Sequence, residues 1–586
     1  MTGKRWRGIL QTAAIRWIDP LFAQRHPGAA LTAALRLAAP AVRLLQPNDK
    51  WNLGTFIEDW AGILKMPSPP APPPHRIFMF CCYRGQFTRD VVVALLLAWR
   101  GHKVTFTYLP KLQSPIKDPL DDSPSARGYL ARVLNRLTAL TDGRVTCIDL
   151  SDTEPALDVD EVYLASQVRA DTVMRIRREQ YDANEPEVAP IVARYTKLGR
   201  RAFGIATAYF RTHREDYDLA VIANGASFEN GYFCKAARLA GLPVNTYEKF
   251  AFQNSITMTH GDAFFNFFDL DRVWMHRDEL GLTSGATGKM AQEKAWDLLN
   301  QRRTSTGNSW GWKYQQGRPP RRASEIMTTL GVTENGFALV CPNVPFDAGY
   351  EGWLTIFPSM REWLTQTIRD LLGRSALPIV VRAHPAETRP GYGSEQIAAI
   401  LKEADLTDPR IRVVPGNSDI NTYDLMPLCQ FAVVFASTTG VEIAMHGKPV
   451  LAGAEVYYAR CGISVPAADK EGYFLRLGEL MSGVAFEDKR TDAALVYFLF
   501  HYLLQWRFPY DKPSQISALP LRLLPSHPKI KTYVETLDVL AMTPDDFSAD
   551  LPRLIDAPRF SERWGWCDSG DEKIMLPQDL QEMDSE

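Results

Sequence analysis

Two uninterrupted apolar runs, each followed at once by a small polar cluster, constrain this chain more than any other feature. The first junction reads Ile379-Val380-Val381-Arg382-Ala383-His384-Pro385-Ala386-Glu387. The second reads Phe431-Ala432-Val433-Val434-Phe435-Ala436-Ser437-Thr438-Thr439-Gly440 and continues into Val441-Glu442-Ile443-Ala444-Met445-His446-Gly447-Lys448-Pro449-Val450. A short run with no polar alternation suits a strand covered on both faces, as in a parallel sheet flanked by helices. In open parallel sheets the ligand crevice lies beyond the carboxyl ends of the strands. Two such junctions in one stretch therefore predict a single binding edge.

The second junction carries its own local logic. Ser437, Thr438 and Thr439 offer hydroxyls to the free amides of a helix start. A short helix from Gly440 to His446 is predicted, with Gly447 ending it in a left-handed conformation and Pro449 preventing continuation. Such a start presents unpaired N–H groups, hydroxyls and the positive end of the helix dipole, which together suit a phosphate. Glu442, in the first turn, is placed to accept from a sugar or ribose hydroxyl. The plain alternative is that the hydroxyls only cap the helix. His384 is ambiguous in the same way: Pro385 biases it toward an extended backbone, where it faces either a ligand or a local carbonyl.

Taken together, Arg382-Ala383-His384-Pro385-Ala386-Glu387, Ser437-Thr438-Thr439-Gly440-Val441-Glu442 and Gly447-Lys448-Pro449-Val450 resemble the capsule-polysaccharide biosynthesis glycosyltransferases and, more distantly, the teichoic-acid glycerophosphotransferases. The agreement covers residues 377–454, and is weaker from Arg76 onward. The resemblance implies an α/β, GT-B-like fold, in which two doubly wound Rossmann-like domains face a cleft. It implies that the His-Pro motif and the Ser/Thr-rich turn contact the phosphate of an activated nucleotide donor. Donor-binding residues would then be Arg382, His384, Glu387, Ser437, Thr438, Thr439 and Glu442. Asn343 and Asp347, at or just past the carboxyl end of a predicted strand that starts at Gly336, would close one wall.

A chain of 586 residues is too long for one core. Residues 1–65 read as a basic helical extension, and the proline-rich run at 66–75 as a stiff linker. A first Rossmann-like, acceptor-side domain follows at 76–330, with a helical insertion at about 150–217. The nucleotide-donor domain is expected at 331–490, and a helical segment with an acidic tail at 491–586. The first domain opens as a βαβ unit: a strand from Arg76, a loop through Tyr83-Arg84-Gly85-Gln86, a helix from Asp90, and a strand at 103–108. The loop lacks the repeated glycines of a dinucleotide fingerprint, so no nicotinamide cofactor is assigned.

On this acceptor side the resemblance carries over Arg84 and Gly85, and Asn224 in the turn Asn224-Gly225-Ala226. It also makes Glu248, after the strand that begins at Leu242, the leading catalytic carboxylate, with Glu229 and Asp262 as rivals; His384 is the catalytic candidate on the donor side. General-base chemistry requires a carboxylate within hydrogen-bond reach of the acceptor hydroxyl. Two Asp-x-Asp matches, Asp158-Val159-Asp160 and Asp269-Leu270-Asp271, lie outside the donor half, so no metal or cofactor is assigned.

The net charge of −2 argues against a nucleic-acid partner. Eight cysteines without metal-ligand or disulfide spacing suit reduced thiols. The longest apolar run, residues 91–99, is too short to span a bilayer, and no signal-peptide pattern opens the chain. A cytoplasmic location is expected. The arginine-rich stretch at 4–45 admits two readings: a helical extension packed on the body, or an amphipathic segment on the inner membrane surface. The expected partners are a nucleotide-sugar donor and a glycan or lipid-linked acceptor. A glycerophosphotransferase, a nucleotide-sugar epimerase and a non-catalytic scaffold of a polysaccharide assembly complex remain alternatives on the same fold.

Overall fold

Alternate residues of strand β1 (Arg76–Cys81) enter two different cores: Ile77 and Met79 join one, Phe78 and Phe80 the other. A strand covered on both faces is what an uninterrupted apolar run requires. The computed structural model of the chain describes residues 57–58, 61–81, 84–109, 124–249, 252, 255–261, 268–306, 315, 317–344, 346, 354–388, 395–508 and 528–554. The basic stretch at 4–45, Asp262, Asp347 and the acidic tail lie outside the described residues.

The first sheet contains β1, β2 (Lys103–Tyr108), β3 (Val145–Asp149), β4 (Leu219–Ala223), β5 (Val244–Lys249), β6 (Ser255–Thr259) and β12 (Gln505–Arg507), in the order β12-β6-β5-β4-β1-β2-β3. Strands β1 to β5 pair in parallel, while β6 and β12 close one edge antiparallel. The second sheet contains β7 (Ala338–Cys341), β8 (Ile379–Arg382), β9 (Ile411–Val414), β10 (Phe431–Val434) and β11 (Val450–Ala452), all parallel, in the order β11-β10-β7-β8-β9. Each sheet reverses its direction of growth at its first strand, β1 or β7, the arrangement of two Rossmann-like units.

Several expected elements are shifted for local reasons. The helix after β1 begins at Arg84 rather than Asp90, so the expected loop is mostly the first turn of the helix Arg84–Trp99. The helical stretch at about 150–217 is the crossover from β3 to β4. Its second helix, Ala189–His213, lays Phe203, Ala206 and Phe210 on the sheet, with the Phe210 ring 4.8 Å from that of Phe78. It is thus one of the layers of the first unit. Gly447 has φ 72° and ends the helix Thr439–Ala444 as its sequence predicts.

The end of the described chain returns to the first sheet. After the helix Arg490–Phe498, β12 pairs with β6, and the helix Pro528–Leu540 packs on the helix Arg84–Trp99. Asn245 donates from Nδ2 to the carbonyls of Leu540 (2.8 Å) and Met542 (2.6 Å). The buried His260 ring bridges the Asp269 carboxylate (2.7 Å) and the Val539 carbonyl (2.7 Å). Arg100, only 2% exposed, gathers segments far apart in the chain: it donates to Asp538 (2.7 and 2.8 Å), Ser68 Oγ (2.7 Å) and the carbonyls of Pro69 (2.7 Å) and Pro70 (2.6 Å). The proline-rich stretch is therefore strapped to the body.

Candidate functional site

Strands β7, β8 and β10 are parallel neighbours, so their carboxyl ends share one edge, and the predicted donor-side residues follow from them. Asn343, after β7, donates from Nδ2 to the Ala436 carbonyl (2.8 Å) and accepts at Oδ1 from the Ala436 amide (3.0 Å). One side chain thereby ties the loop after β7 to the loop after β10. Ser437 Oγ accepts from the Thr439 amide at 3.2 Å, and the Ser437 carbonyl accepts from Tyr458 Oη at 2.8 Å. Ser437 is consumed as the cap. Thr438 and Thr439 are half-buried and make no side-chain hydrogen bond among the described residues. Their hydroxyls are the ones left for a ligand.

His384 is half-buried, and its Nδ1 accepts from the Ala386 amide at 3.1 Å. Burial, helped by the nearby Arg382 charge, holds its pKa down at about 4. At neutral pH the ring is uncharged with its proton on Nε2, a neutral donor. Arg382 is 2% exposed. It donates to Thr422 Oγ1 (2.9 Å) and to the carbonyls of Val414 (3.4 Å) and Pro415 (2.6 Å). Arg318 grips the same turn through the carbonyls of Gly416 (2.6 Å) and Ser418 (2.7 Å). Burial and this second cation lower Arg382 to about 10, leaving it charged at neutral pH. Most of its hydrogen-bonding capacity braces the β9 turn; Nη2 has no partner among the described residues.

Two of the donor-side carboxyls are engaged by groups of the protein itself. Glu387 is 6% exposed, and its Oε1 accepts from the Ile397 amide at 3.1 Å. Through this oxygen it caps the helix Ile397–Glu403, and burial pushes its carboxyl up to about 7. Glu442 is 3% exposed and points inward. Its Oε1 accepts from Arg302 (2.8 Å), Tyr497 Oη (3.1 Å) and Tyr423 Oη (3.2 Å), joining the helices Gly285–Thr304 and Arg490–Phe498 to the second sheet. An acceptor already taken by three internal donors is a packing tie. Gly440, on the same short helix, lies so close to Tyr458 that a Cβ there would overlap its hydroxyl.

On the first sheet, Asn224 sits just past β4 with φ 63°, a left-handed conformation that Asn tolerates. Its Oδ1 accepts from the Ala226 amide (3.2 Å), the Ser227 amide (3.1 Å) and Ser227 Oγ (2.8 Å). Its Nδ2 donates to Glu248 Oε2 at 3.0 Å. Two residues 24 apart in sequence are thus brought into direct contact, and the half-buried Glu248 carboxylate is aimed by a side chain that is itself locked. Arg84 and Gly85 occupy the first turn of the helix after β1.

A third carboxyl escaped the sequence reading. Asp171 is 3% exposed and accepts from the Phe228 amide (3.3 Å) and Gln167 Nε2 (3.1 Å). Burial, assisted by the neighbouring Glu229 charge, pushes it up to about 8. Its helix, Glu161–Ile176, reads as an ordinary polar helix, and only the fold shows that this position faces inward. Two residues on, and so turned to another side of the helix, Val173 packs with Val344, Phe346 and Ala386 from the loops after β7 and β8. The helix Glu161–Ile176 thus touches both edges, the Asn224 turn through Asp171 and the His384 loop through Val173.

The Asp-x-Asp pairs are engaged elsewhere. Asp158 pairs with Arg211 at 2.8 Å, and Asp160 caps the helix Glu161–Ile176. Asp269 holds His260, and Asp271 pairs with Arg460 at 3.0 Å.

The fold and this pair of edges define a GT-B-like protein: two Rossmann-like units with polar residues at the strand ends of each. Solved structures similar to it include KpsC of Thermosulfurimonas dismutans, a beta Kdo 2,4 transferase, at 15% identity over 48% of this chain and 80% of that one, with a TM-score of 0.30. A UDP-GlcNAc 2-epimerase from Neisseria meningitidis, bound to UDP-GlcNAc, matches at 10% identity over 76% of this chain and 98% of its own, with a TM-score of 0.23. Sucrose-phosphate synthase from Thermosynechococcus elongatus matches at 12% identity over 78% and 100%, with a TM-score of 0.24. No family model matches the chain. No curated protein matches it either. At these identities and TM-scores the likenesses carry no argument about chemistry, which has to come from the residues.

Proposed function

We propose that the chain is a glycosyltransferase that moves a sugar from a nucleotide-sugar donor to a surface-polysaccharide or lipid-linked acceptor, without a metal. The observation that carries this reading is the Asn224–Glu248 contact on one edge, joined through Asp171 and Val173 to the His384 loop on the other. A transferase needs a positioned carboxylate on the acceptor side and donors for the developing phosphate charge on the other. Thr438 and Thr439 hydroxyls and Arg382 Nη2 supply donors, and the neutral His384 ring lies on the loop that faces them. A neutral imidazole can stabilise the departing phosphate by donating a hydrogen bond. Glu248, oriented by Asn224, would take the proton of the attacking hydroxyl.

The test is a thermal-shift screen of CMP-, UDP-, GDP- and CDP-linked sugars on the wild type and His384→Ala. One nucleotide class should raise the melting temperature, and the substitution should abolish that shift. If no donor shifts the wild type, the reading fails. Should a donor bind and be epimerised with no acceptor present, the chain is an epimerase and the transfer assignment is wrong.

A further inference from the structure

The helix Glu161–Ile176 belongs to the first unit, yet the residues that follow it are held by the second. Arg177, with φ 61°, ends the helix in a left-handed turn. Its carbonyl accepts from the Glu395 amide at 3.0 Å, and its guanidinium lies 4.0 Å from the centre of the Phe346 ring. Glu179 then places its carboxylate at the start of the helix Met360–Arg374. Oε1 accepts from the Met360 amide (2.8 Å) and Oε2 from the Arg361 amide (2.8 Å). Those amides are free donors of a helix start, where the macrodipole favours an anion. Beneath them, Val173 packs on Val344, Phe346 and Ala386.

We propose that residues 173–181 are a clasp that holds the two domains closed across the mouth of the cleft, with the Glu179 carboxylate as its catch. The clasp lands on the segments after β7 and β8, which also carry Asn343 and His384. Its apolar footing is a small cluster separate from the larger cores, Val173 on Val344, Phe346 and Ala386 with Met174 and Tyr181 partly buried against them, so it can be undone without opening those cores. That its release admits a ligand rests on the function proposed above; the closure itself does not.

The catch is sensitive to pH. Facing Glu179 are Arg169 of its own unit's helix, Arg178 and Tyr181 beside it, Arg361 and Glu362 of the helix it caps, and Glu395, which Arg361 also binds at 2.6 Å. Burial raises the carboxyl to about 7, against the pull of the two amides and Arg169, and the Glu395 charge adds to the rise. A cavity of about 540 Å³ alongside gives water access to it. With the clasp released, the carboxyl is solvated and titrates near the ordinary value of about 4.3. Closing therefore takes up a proton between these values, and closure strengthens as pH falls through 7.

Hydrogen exchange and small-angle scattering of the full chain test this without substrate, so failure here is separable from failure of the transferase reading. In Glu179→Ala, exchange should speed at Met360 and Arg361 and also at Glu395, whose amide Glu179 does not touch, and the radius of gyration should rise. Faster exchange at Met360 and Arg361 alone, with an unchanged radius, reduces Glu179 to a local cap and overturns the clasp. Should that variant fail to fold, Glu179→Gln decides. The wild-type radius should shrink between pH 8 and pH 5.5 while the Gln variant stays flat. Parallel curves, or a wild type that does not respond, overturn the proposal.

Discussion

Arg100 shows how a single buried charge can join distant parts of a chain. All five of its N–H groups are occupied, by a carboxylate, a hydroxyl and two proline carbonyls. A fully satisfied guanidinium can be buried, but removing it strands the other partners. Arg100→Ala leaves Asp538, already raised by burial, without its cation. Breaking such a pair by deleting one member typically costs about 3–5 kcal/mol. Urea unfolding should show a loss in that range. Arg100→Lys should recover little, because an ammonium cannot reproduce the two-pronged contact with Asp538. A loss below about 1 kcal/mol would mean that the strap contributes nothing to stability.

At the scale of elements, the Ser437–Thr439 turn is shaped from behind by Tyr458. Gly440→Ala pushes a methyl into the Tyr458 hydroxyl and should displace the Ser437 carbonyl it holds. Overpacking of this kind costs about 1–3 kcal/mol. Adding Tyr458→Phe should restore part of the loss, so the double variant should be more stable than the sum of the two singles predicts. Strict additivity in thermal unfolding would refute the contact. The strands and helices around this turn were legible because apolar runs and glycine stops are local signals: β2 and the left-handed Gly447 fall where the sequence places them. Strand β3, with one buried position among its five, and the late strand β12 carry no such run and were not foreseen. The candidate residues could be placed near strand ends from the sequence, but not their partners: which way the Glu442 carboxylate turns depends on Arg302, 140 residues away.

For the molecule as a whole, buried titratable groups set the dependence of stability on pH. Asp171 is raised to about 8, and Glu179 and Glu387 to about 7. His102, His384 and His446 are lowered to about 4. A carboxyl raised on folding stabilises the fold when protonated, and that contribution is lost as pH rises through its folded value. A histidine lowered on folding acts oppositely, and only below its ordinary value near 6.5. Above pH 6.5 these histidines no longer contribute, so through pH 8.5 the raised carboxyls, joined near the upper end by buried cysteines whose thiols are also raised, make stability fall as pH rises. Each group held protonated only in the folded state contributes about 1.4 kcal/mol per pH unit. The urea midpoint should decline over this range, and Asp171→Asn should flatten the decline. A midpoint that rises, or an equal slope in the variant, would contradict the assignment.

The return of β12 and the helix Pro528–Leu540 to the first sheet bears on how the chain is born. Synthesis delivers β1 early and all of the second sheet before β12. Strand β6 must wait with an open edge, and Asn245 and His260 without their carbonyl partners, until residue 540 has left the ribosome. A domain normally folds as it emerges. Here the second unit can finish first, and the unit that begins the sequence is the last to be complete.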